Sequence, residues 1–136
     1  MMPPFPCTLL VDDDDTTNFL NRLLLKRMGF TATPVALNGQ QALALLHTAV
    51  DYPALILLDL KMPLMNGIDF LHAYTQQELP AHQPAPVIIM LTTSLNPADL
   101  AQLQGLPLAG YLTKPLTREK VRQLLHEHFG YPADER

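Results

Sequence analysis

The amino-acid sequence predicts an α/β fold, a doubly wound five-stranded parallel sheet with five helices. Four apolar runs are short and continuous and are bounded by Pro, Asp or Gly, as expected of parallel strands buried on both faces. They span residues 8–11, 54–58, 87–91 and 108–112. Segments with helical spacing alternate with these runs, and right-handed crossovers then place helices on both faces of the sheet.

The five helices are predicted from apolar spacing and end signals, over residues 17–28, 40–49, 68–77, 98–104 and 118–129. Gly29 and Gly130 mark the ends of the first and the last helix. Asn96-Pro97 suits the start of the fourth helix, and Thr117 can cap the fifth. We assign the leucines of residues 20–25 to the core stripe of the first helix.

The fifth strand of the sheet falls at residues 30–36, between the first two helices. Pro34 removes a hydrogen-bond donor from its middle, which places this strand at an edge of the sheet. A proline-containing loop at residues 76–86 precedes the fourth strand of the chain. The tail at residues 131–136 is expected to fray.

Composition predicts one soluble domain over residues 1–136, with its core at about residues 7–129, because 48% hydrophobic content can fill a single core. The sequence has 9 basic and 13 acidic residues, and the Lys and Arg residues form no cluster. Both observations argue against nucleic-acid binding. No apolar stretch approaches the roughly 20 residues that span a bilayer, and the first residues lack the basic segment of a signal peptide. Cys7 is the only cysteine, which suits a reducing cytoplasm.

Polar residues follow the predicted strands at their carboxyl ends, where open parallel sheets bind ligands. They are Asp12 and Asp13, Asp59, Thr92 and Lys114. Three carboxylates in one crevice repel by about 1 kcal/mol per close pair in water and by roughly 4 kcal/mol near a protein surface. A cation must offset this repulsion, and oxygen ligands without His or Cys favour Mg²⁺, which commonly also binds phosphate. The sequence therefore indicates phosphoryl chemistry.

Two neighbouring acidic residues, Asp14 and Asp15, have a different explanation. Carboxylates at the start of a helix are stabilised by its dipole, by about 0.3–1 kcal/mol each. We therefore assign Asp14 and Asp15 to the start of the first helix, and Asp12 and Asp13 to the ligand site.

Four groups of residues resemble the motifs of bacterial response-regulator receiver domains, including those of the chemotaxis type. In chain order they are Leu9-Leu10-Val11-Asp12-Asp13, Leu57-Leu58-Asp59-Leu60-Lys61-Met62-Pro63 with Asn66-Gly67, Met90-Leu91-Thr92, and Tyr111-Leu112-Thr113-Lys114-Pro115. Each motif alone is weak, but the set is specific, and the resemblance extends from residue 8 to about residue 129. It implies a stand-alone receiver of flavodoxin-like strand order 2-1-3-4-5, with no room for an output domain.

By this resemblance, Asp59 is the phosphoryl acceptor of a two-component phosphorelay. Asp12 and Asp13 are the acidic pair that holds Mg²⁺, and Asp59 and the backbone carbonyl of Lys61 complete the metal site. The donor is a phosphohistidine, on a sensor histidine kinase or a histidine phosphotransfer protein. Such a module catalyses only its own phosphorylation and dephosphorylation, so we do not expect a conventional enzyme.

The resemblance also implies roles for Thr92, Lys114 and Tyr111. The Thr92 hydroxyl hydrogen-bonds one phosphoryl oxygen, and the Lys114 ammonium pairs with another. Once Asp59 is phosphorylated, Thr92 moves inward and leaves space for Tyr111, the aromatic switch residue. The face of helix 4, strand 5 and helix 5 is thereby re-shaped. A downstream protein target reads that face, and receivers of this kind often form a homodimer through it.

Three other functions compete with this interpretation. An aspartyl-phosphate hydrolase is expected to carry a second Asp two residues after the acceptor, where Lys61 stands. A flavin or nucleotide carrier needs a Gly- or Ser/Thr-rich phosphate loop after the first strand, where four aspartates would repel the phosphate. The runner-up is a receiver-like adaptor that binds partners without phosphorylation, although such modules are expected to lose some of the site residues.

Individual roles also have alternatives. Thr93 could take the part given to Thr92, and Tyr111 could simply pack at a strand edge with its hydroxyl in water. Lys61 and Ser94 occupy positions that vary in the family, which leaves the lifetime of the phosphorylated state open.

Overall fold

Strands and helices alternate along the whole described chain. A computed structural model describes residues 5–76, 85–93 and 96–132. Its elements are β1 (Thr8–Val11), α1 (Asp15–Met28), β2 (Val35–Ala36), α2 (Gly39–Thr48), β3 (Leu55–Leu58), α3 (Gly67–Gln76), β4 (Val87–Thr92), α4 (Pro97–Leu103), β5 (Gly110–Thr113) and α5 (Arg118–Phe129). All neighbouring strands pair in parallel, in the order β2-β1-β3-β4-β5. The predicted fold and strand order are confirmed.

The register of the sheet brings the ends of the central strands to one level. Val11 of β1 pairs with Leu58 of β3, so the residues that follow them, Asp12 and Asp59, leave adjacent strands side by side. On the other side of β3, Thr92 of β4 pairs with Thr113 of β5, the residue before Lys114. The carboxyl edge of the sheet therefore collects the predicted site residues.

Two apolar clusters hold the helices against the two faces of the sheet. Alternate strand residues enter opposite clusters, because side chains along a strand point to opposite faces. One cluster contains Leu9, Ile56 and Met90 with residues of α2, α3 and α4, including Leu43, Leu46, Phe70, Leu71 and Leu103. The other contains Leu10, Leu57 and Ile89 with residues of α1 and α5, including Leu25, Val121, Leu124 and Leu125. Each fully buried leucine or isoleucine contributes roughly 1.5–3 kcal/mol.

The edge strand β2 is shorter than residues 30–36 predicted, and the regular ladder contains only Val35 and Ala36. The preceding segment still lies along β1, because the amides of Thr8 and Leu10 donate to the carbonyls of Ala32 and Pro34 at 3.0 and 2.9 Å. Pro34 has no N–H to return a bond, so the segment pairs through its carbonyls without forming a longer ladder. The predicted edge position is correct.

Helix α1 differs from its prediction in its start and its buried face. It begins at Asp15 rather than residue 17, because Asp14 caps it by accepting from the Thr17 amide at 3.0 Å. Leu20 is 55% exposed, so its assignment to the core stripe is wrong. The buried face of the helix begins instead with Asn18 and Asn21 and continues with leucine and methionine.

The other predicted helix caps are present. Asn96 accepts from the Asp99 amide at 2.8 Å, and Thr117 from the Lys120 amide at 3.2 Å. Gly29 and Gly130 follow α1 and α5 with positive φ angles of 112° and 74°, which glycine adopts without strain.

Some predictions concern residues outside the described ranges. They are residues 77–84 of the loop predicted at 76–86, residues 133–136 of the tail, and Ser94. Within the described ranges, no helix has the length and hydropathy needed to cross a membrane.

Candidate functional site

Three carboxylates meet at the carboxyl edge of the sheet. Asp12, Asp13 and Asp59 each offer one oxygen atom, and these atoms lie within 4.8 Å of one another. The Asp12 and Asp59 residues are only 5% and 8% exposed, whereas Asp13 lies exposed at the rim. Because two of the three carboxyl groups are buried, water screens their repulsion poorly.

Lys114 inserts its ammonium between the two buried carboxylates. Its Nζ lies 2.8 Å from Asp12 Oδ2 and 3.2 Å from Asp59 Oδ1. Its backbone amide donates to the carbonyl of Thr92 at 2.7 Å, and the peptide bond to Pro115 is cis. The structure therefore brings Asp12, Asp59 and Lys114 into direct contact, across 102 residues of sequence between Asp12 and Lys114.

Asp12 is fixed at every polar group. Its amide donates to the carbonyl of Ala36 at 3.0 Å, and its Oδ1 accepts from the Asp14 amide at 2.9 Å. Its carbonyl accepts from Asn18 Nδ2 at 2.8 Å, inside the protein. These bonds leave Asp12 with one orientation, in which Oδ2 faces Lys114.

Asn18 also belongs to the site, although no motif in the sequence indicates it. It is 5% exposed, and its Oδ1 is buried without a hydrogen-bond partner among the described residues. Since the Asp12 carbonyl can only accept, the amide nitrogen of Asn18 must face it. The signal available in the sequence was an asparagine about one helical turn after Asp14, on the same face of the helix as Leu25.

Asp59 is held through its backbone by close packing of α3. Its amide donates to the carbonyl of Val11 at 2.8 Å, and the amide of Gly67 donates to the carbonyl of Leu60, also at 2.8 Å. A Cβ atom on Gly67 would lie 2.6 Å from the Asp59 carbonyl oxygen, so only glycine allows this approach. Gly67 belongs to the predicted motif, and this contact gives its physical reason.

Burial and charge shift the ionisation of the site in a consistent way. Burial raises the pKa of the Asp59 carboxyl, the neighbouring charge of Asp12 raises it further, and Lys114 opposes both. Burial alone would lower the pKa of the Lys114 ammonium, but the hydrogen bond and charge of Asp12, and then those of Asp59, raise it overall. Lys114 therefore keeps its positive charge, and the raised pKa of Asp59 indicates that further positive charge would stabilise the acidic site.

The donor set fits Mg²⁺. All three acidic groups offer carboxylate oxygens, and among the described residues no His or Cys joins the cluster. One ammonium against three ionised carboxylates leaves two negative charges uncompensated, which a small divalent cation with water and phosphate ligands would balance. Lys61, two residues beyond Asp59, has an exposed side chain in the loop after β3, and its carbonyl role stays a prediction.

Thr92 and Tyr111 lie where the sequence places them, at different depths. Thr92 is the last residue of β4 and is 3% exposed, whereas Thr93 is exposed, so burial favours Thr92 as the inward hydroxyl. Tyr111 is 54% exposed on the edge strand β5. Its ring is not part of the core, and its switching role stays a prediction.

Asp14 and Asp15 belong to the start of α1, as predicted. Asp14 caps the helix, and the side-chain and backbone hydrogen bonds from Thr17 lower the pKa of its carboxyl. Asp15 stands in the first turn of the helix, where its charge suits the dipole.

Comparisons with known proteins agree with this fold. The sequence pattern of the response regulator receiver domain matches residues 8–126. The chemotaxis protein CheY of Pseudomonas aeruginosa is 31% identical over 122 residues, which cover 89% of this chain and 94% of that protein. The transcriptional regulatory protein CpxR of Escherichia coli (strain K12) is 42% identical over 119 residues, 85% of this chain and 46% of that protein. This chain thus spans about half the length of CpxR.

Solved structures show the same architecture. The crystal structure of a two-component response regulator from Cytophaga hutchinsonii superposes with a TM-score of 0.76 at 28% sequence identity, covering 91% of this chain and 96% of that one. The chain belongs to the response regulator receiver domain family, as the motifs predicted. Receiver domains are signalling domains of two-component systems, which interact with histidine kinases or phosphotransfer proteins and with downstream targets, and typically bind Mg²⁺ at an acidic pocket.

Proposed function

We propose that this protein is a phosphoacceptor switch in which Asp59 takes a phosphoryl group from a phosphohistidine. The observation that carries this proposal is the contact of Lys114 Nζ with Asp12 Oδ2 and Asp59 Oδ1, at 2.8 and 3.2 Å, beside the exposed Asp13. A buried acceptor, a fixed cation and an acidic rim are the parts that phosphoryl transfer requires.

The metal-binding residues in this proposal are Asp12, Asp13 and Asp59, with the Lys61 carbonyl as a backbone ligand. When bound there, Mg²⁺ would neutralise charge on the phosphoryl oxygens. The chain itself supports the site through Asp14 and Asn18, whose hydrogen bonds keep the Asp12 carboxylate turned towards Lys114.

The transfer itself is a substitution at phosphorus. A carboxylate oxygen of Asp59 attacks in line, a P–O bond forms, and the P–N bond to the donor imidazole breaks. The electron pair of that bond leaves with the imidazole, which can take a proton. Lys114 would hold one phosphoryl oxygen and the Thr92 hydroxyl another, so the residues act mainly by position and charge.

The consequence of phosphorylation would be a change of the face formed by α4, β5 and α5. New acceptor oxygens on Asp59 would draw the Thr92 hydroxyl towards them, and Tyr111, now 54% exposed, would turn inwards. A downstream protein, or a second copy of this chain, would recognise the altered face. We also propose a cytoplasmic location and a single receiver unit over residues 1–136.

The experiment is intact mass spectrometry after incubation with acetyl phosphate and Mg²⁺. The wild type should gain one phosphoryl group, and Asp59→Asn should gain none. Asp15→Asn is the matched control, because Asp15 is an exposed carboxylate of the same acidic run that serves only the helix start. Absence of the adduct from the wild type, or its presence in Asp59→Asn, would overturn the proposal.

A further inference from the structure

Lys120, in the first turn of α5, donates to three oxygen atoms of the loop before the helix. Its Nζ lies 2.6 Å from the Thr113 carbonyl oxygen, 3.3 Å from Thr113 Oγ1 and 3.0 Å from the Pro115 carbonyl oxygen. An ammonium carries three protons and no acceptor, so these three oxygens match its full donor capacity. The side chain is half-buried against this loop rather than extended into water.

The two residues that Lys120 holds are the two neighbours of Lys114 in the chain. Lys114 itself is tied to the sheet by its amide, which donates to the Thr92 carbonyl at 2.7 Å. The segment that carries Lys114 is therefore fixed from both sides, by β4 on one side and by the Lys120 ammonium on the other.

Lys120 is itself placed by the start of the helix. Its backbone amide is held in one position, because it donates to Thr117 Oγ1 at 3.2 Å as part of the helix cap. The cap sets the direction of the Lys120 side chain, and that side chain sets the path of the backbone around Lys114. This chain of contacts connects the start of α5 to the ammonium between Asp12 and Asp59.

We propose that Lys120 is a positioning residue, which holds the loop so that Lys114 keeps its ammonium at the acidic site. The inference rests on the proposed function for its effect on phosphoryl transfer. Without the Lys120 ammonium, two backbone carbonyls lose their donor, and the loop samples other conformations. Because small displacements of a catalytic group are costly, transfer to Asp59 should slow by about tenfold.

The first test measures the loop itself and does not depend on phosphorylation. Amide hydrogen exchange at Lys114, followed by NMR, reports how often its bond to the Thr92 carbonyl opens. Lys120→Met should accelerate this exchange by about tenfold, and Lys120→Arg should restore part of the protection, since a guanidinium can donate to the same oxygens. Lys26→Met is the matched control, because Lys26 is an exposed lysine in the last turn of α1. Unchanged exchange at Lys114 in Lys120→Met would overturn the inference.

The second test is a double-mutant cycle on the rate of phosphorylation by acetyl phosphate. Lys120→Met should slow the wild-type reaction by about tenfold and should have little further effect in a Lys114→Met background. Lys120→Arg should recover much of the rate, and Lys26→Met should match the wild type. An equal loss in both backgrounds would show that Lys120 does not act through Lys114 and would overturn the inference. A wild type that forms no adduct would instead overturn the proposed function, while the exchange experiment would still decide the role of Lys120 in the loop.

Discussion

Replacing Lys114 by methionine should destabilise the metal-free protein and increase its response to Mg²⁺. The substitution keeps an apolar stem of similar length but removes the ammonium that lies 2.8 Å from Asp12 Oδ2 and 3.2 Å from Asp59 Oδ1. At an effective dielectric constant of about 20, each contact is worth roughly 5–6 kcal/mol of attraction, much of which is offset by the desolvation of the charges. The side chains are 19% exposed for Lys114 and 7–10% for its partners, so we expect a net loss of about 2–4 kcal/mol in the free energy of unfolding.

The assay is urea unfolding at neutral pH, without metal and with Mg²⁺ at one fixed concentration, about ten times the dissociation constant of the wild type. At that concentration binding adds about 1.4 kcal/mol to the free energy of unfolding of the wild type. Mg²⁺ should stabilise Lys114→Met more than the wild type, because the variant leaves the carboxylates with more uncompensated charge. The loss should also shrink as the pH falls towards the raised pKa of Asp59 in the folded state, since protonation of its carboxyl relieves the repulsion. Lys26→Met, at an exposed lysine of α1, is the control. Metal-free Lys114→Met as stable as that control, within about 0.5 kcal/mol, would show that the Lys114 ion pairs do not stabilise the fold.

Three other predictions test the site and its surroundings. Asp13→Asn should abolish the stabilisation by Mg²⁺ seen in thermal unfolding, whereas Asp15→Asn should retain it; equal responses would contradict the assignment of the acidic pair. Gly67→Ala should cost about 1–3 kcal/mol in urea unfolding, because its Cβ would lie 2.6 Å from the Asp59 carbonyl oxygen. Gly110→Ala should cost less, because its Cβ would lie 3.7 Å from Ile89 Cδ1, an ordinary van der Waals distance. Burial, with a smaller contribution from the charge of Asp51, raises the pKa of the Cys7 thiol. The pH midpoint of the rate of alkylation by iodoacetamide should therefore be higher for the folded protein than for the urea-unfolded chain. Coincident midpoints would show that the fold does not protect the thiol.

The positions of the buried site residues could be predicted because each one interrupts a strongly apolar strand at its end. Asp12 and Asp59 follow fully buried strands, where a carboxylate is costly unless it has a use, and parallel register then brings them together. Lys114 follows the edge strand β5 and could be placed only through the motif that contains it. The sequence thus predicted the site where local pattern and topology agree.

The helix that supports the site could not be predicted in the same way. The assignment of Leu20 to the core followed from its hydrophobicity, but α1 turns Asn18 and Asn21 inwards below the acidic site and leaves Leu20 outside. Asn18 is favoured there because its amide donates to the Asp12 carbonyl inside the protein, and this requirement is visible only once β1 and α1 are packed. The hydrogen bond to the buried carbonyl of Asp12 therefore outweighs the preference for burying Leu20.

The contacts of Lys120 illustrate a second limit of sequence patterns. A lysine in the first turn of a helix looks like an ordinary surface residue, and the helix dipole does not favour a cation there. Its position follows from the turn between β5 and α5, which brings the carbonyls of Thr113 and Pro115 to within 3.0 Å of the ammonium. Such geometry depends on the loop backbone and has no signature in residue spacing.

Locating the phosphoryl group in the chain tests most directly whether Asp59 is the acceptor. An acyl phosphate is reduced by borohydride to the corresponding alcohol, so a phosphorylated aspartate becomes homoserine, which peptide mass spectrometry identifies by position. After treatment with acetyl phosphate and Mg²⁺, we predict homoserine at position 59 and at no other position of the acidic site. Homoserine at position 12 or 13 instead, or unmodified Asp59 in protein that has gained a phosphoryl group, would show that Asp59 is not the acceptor.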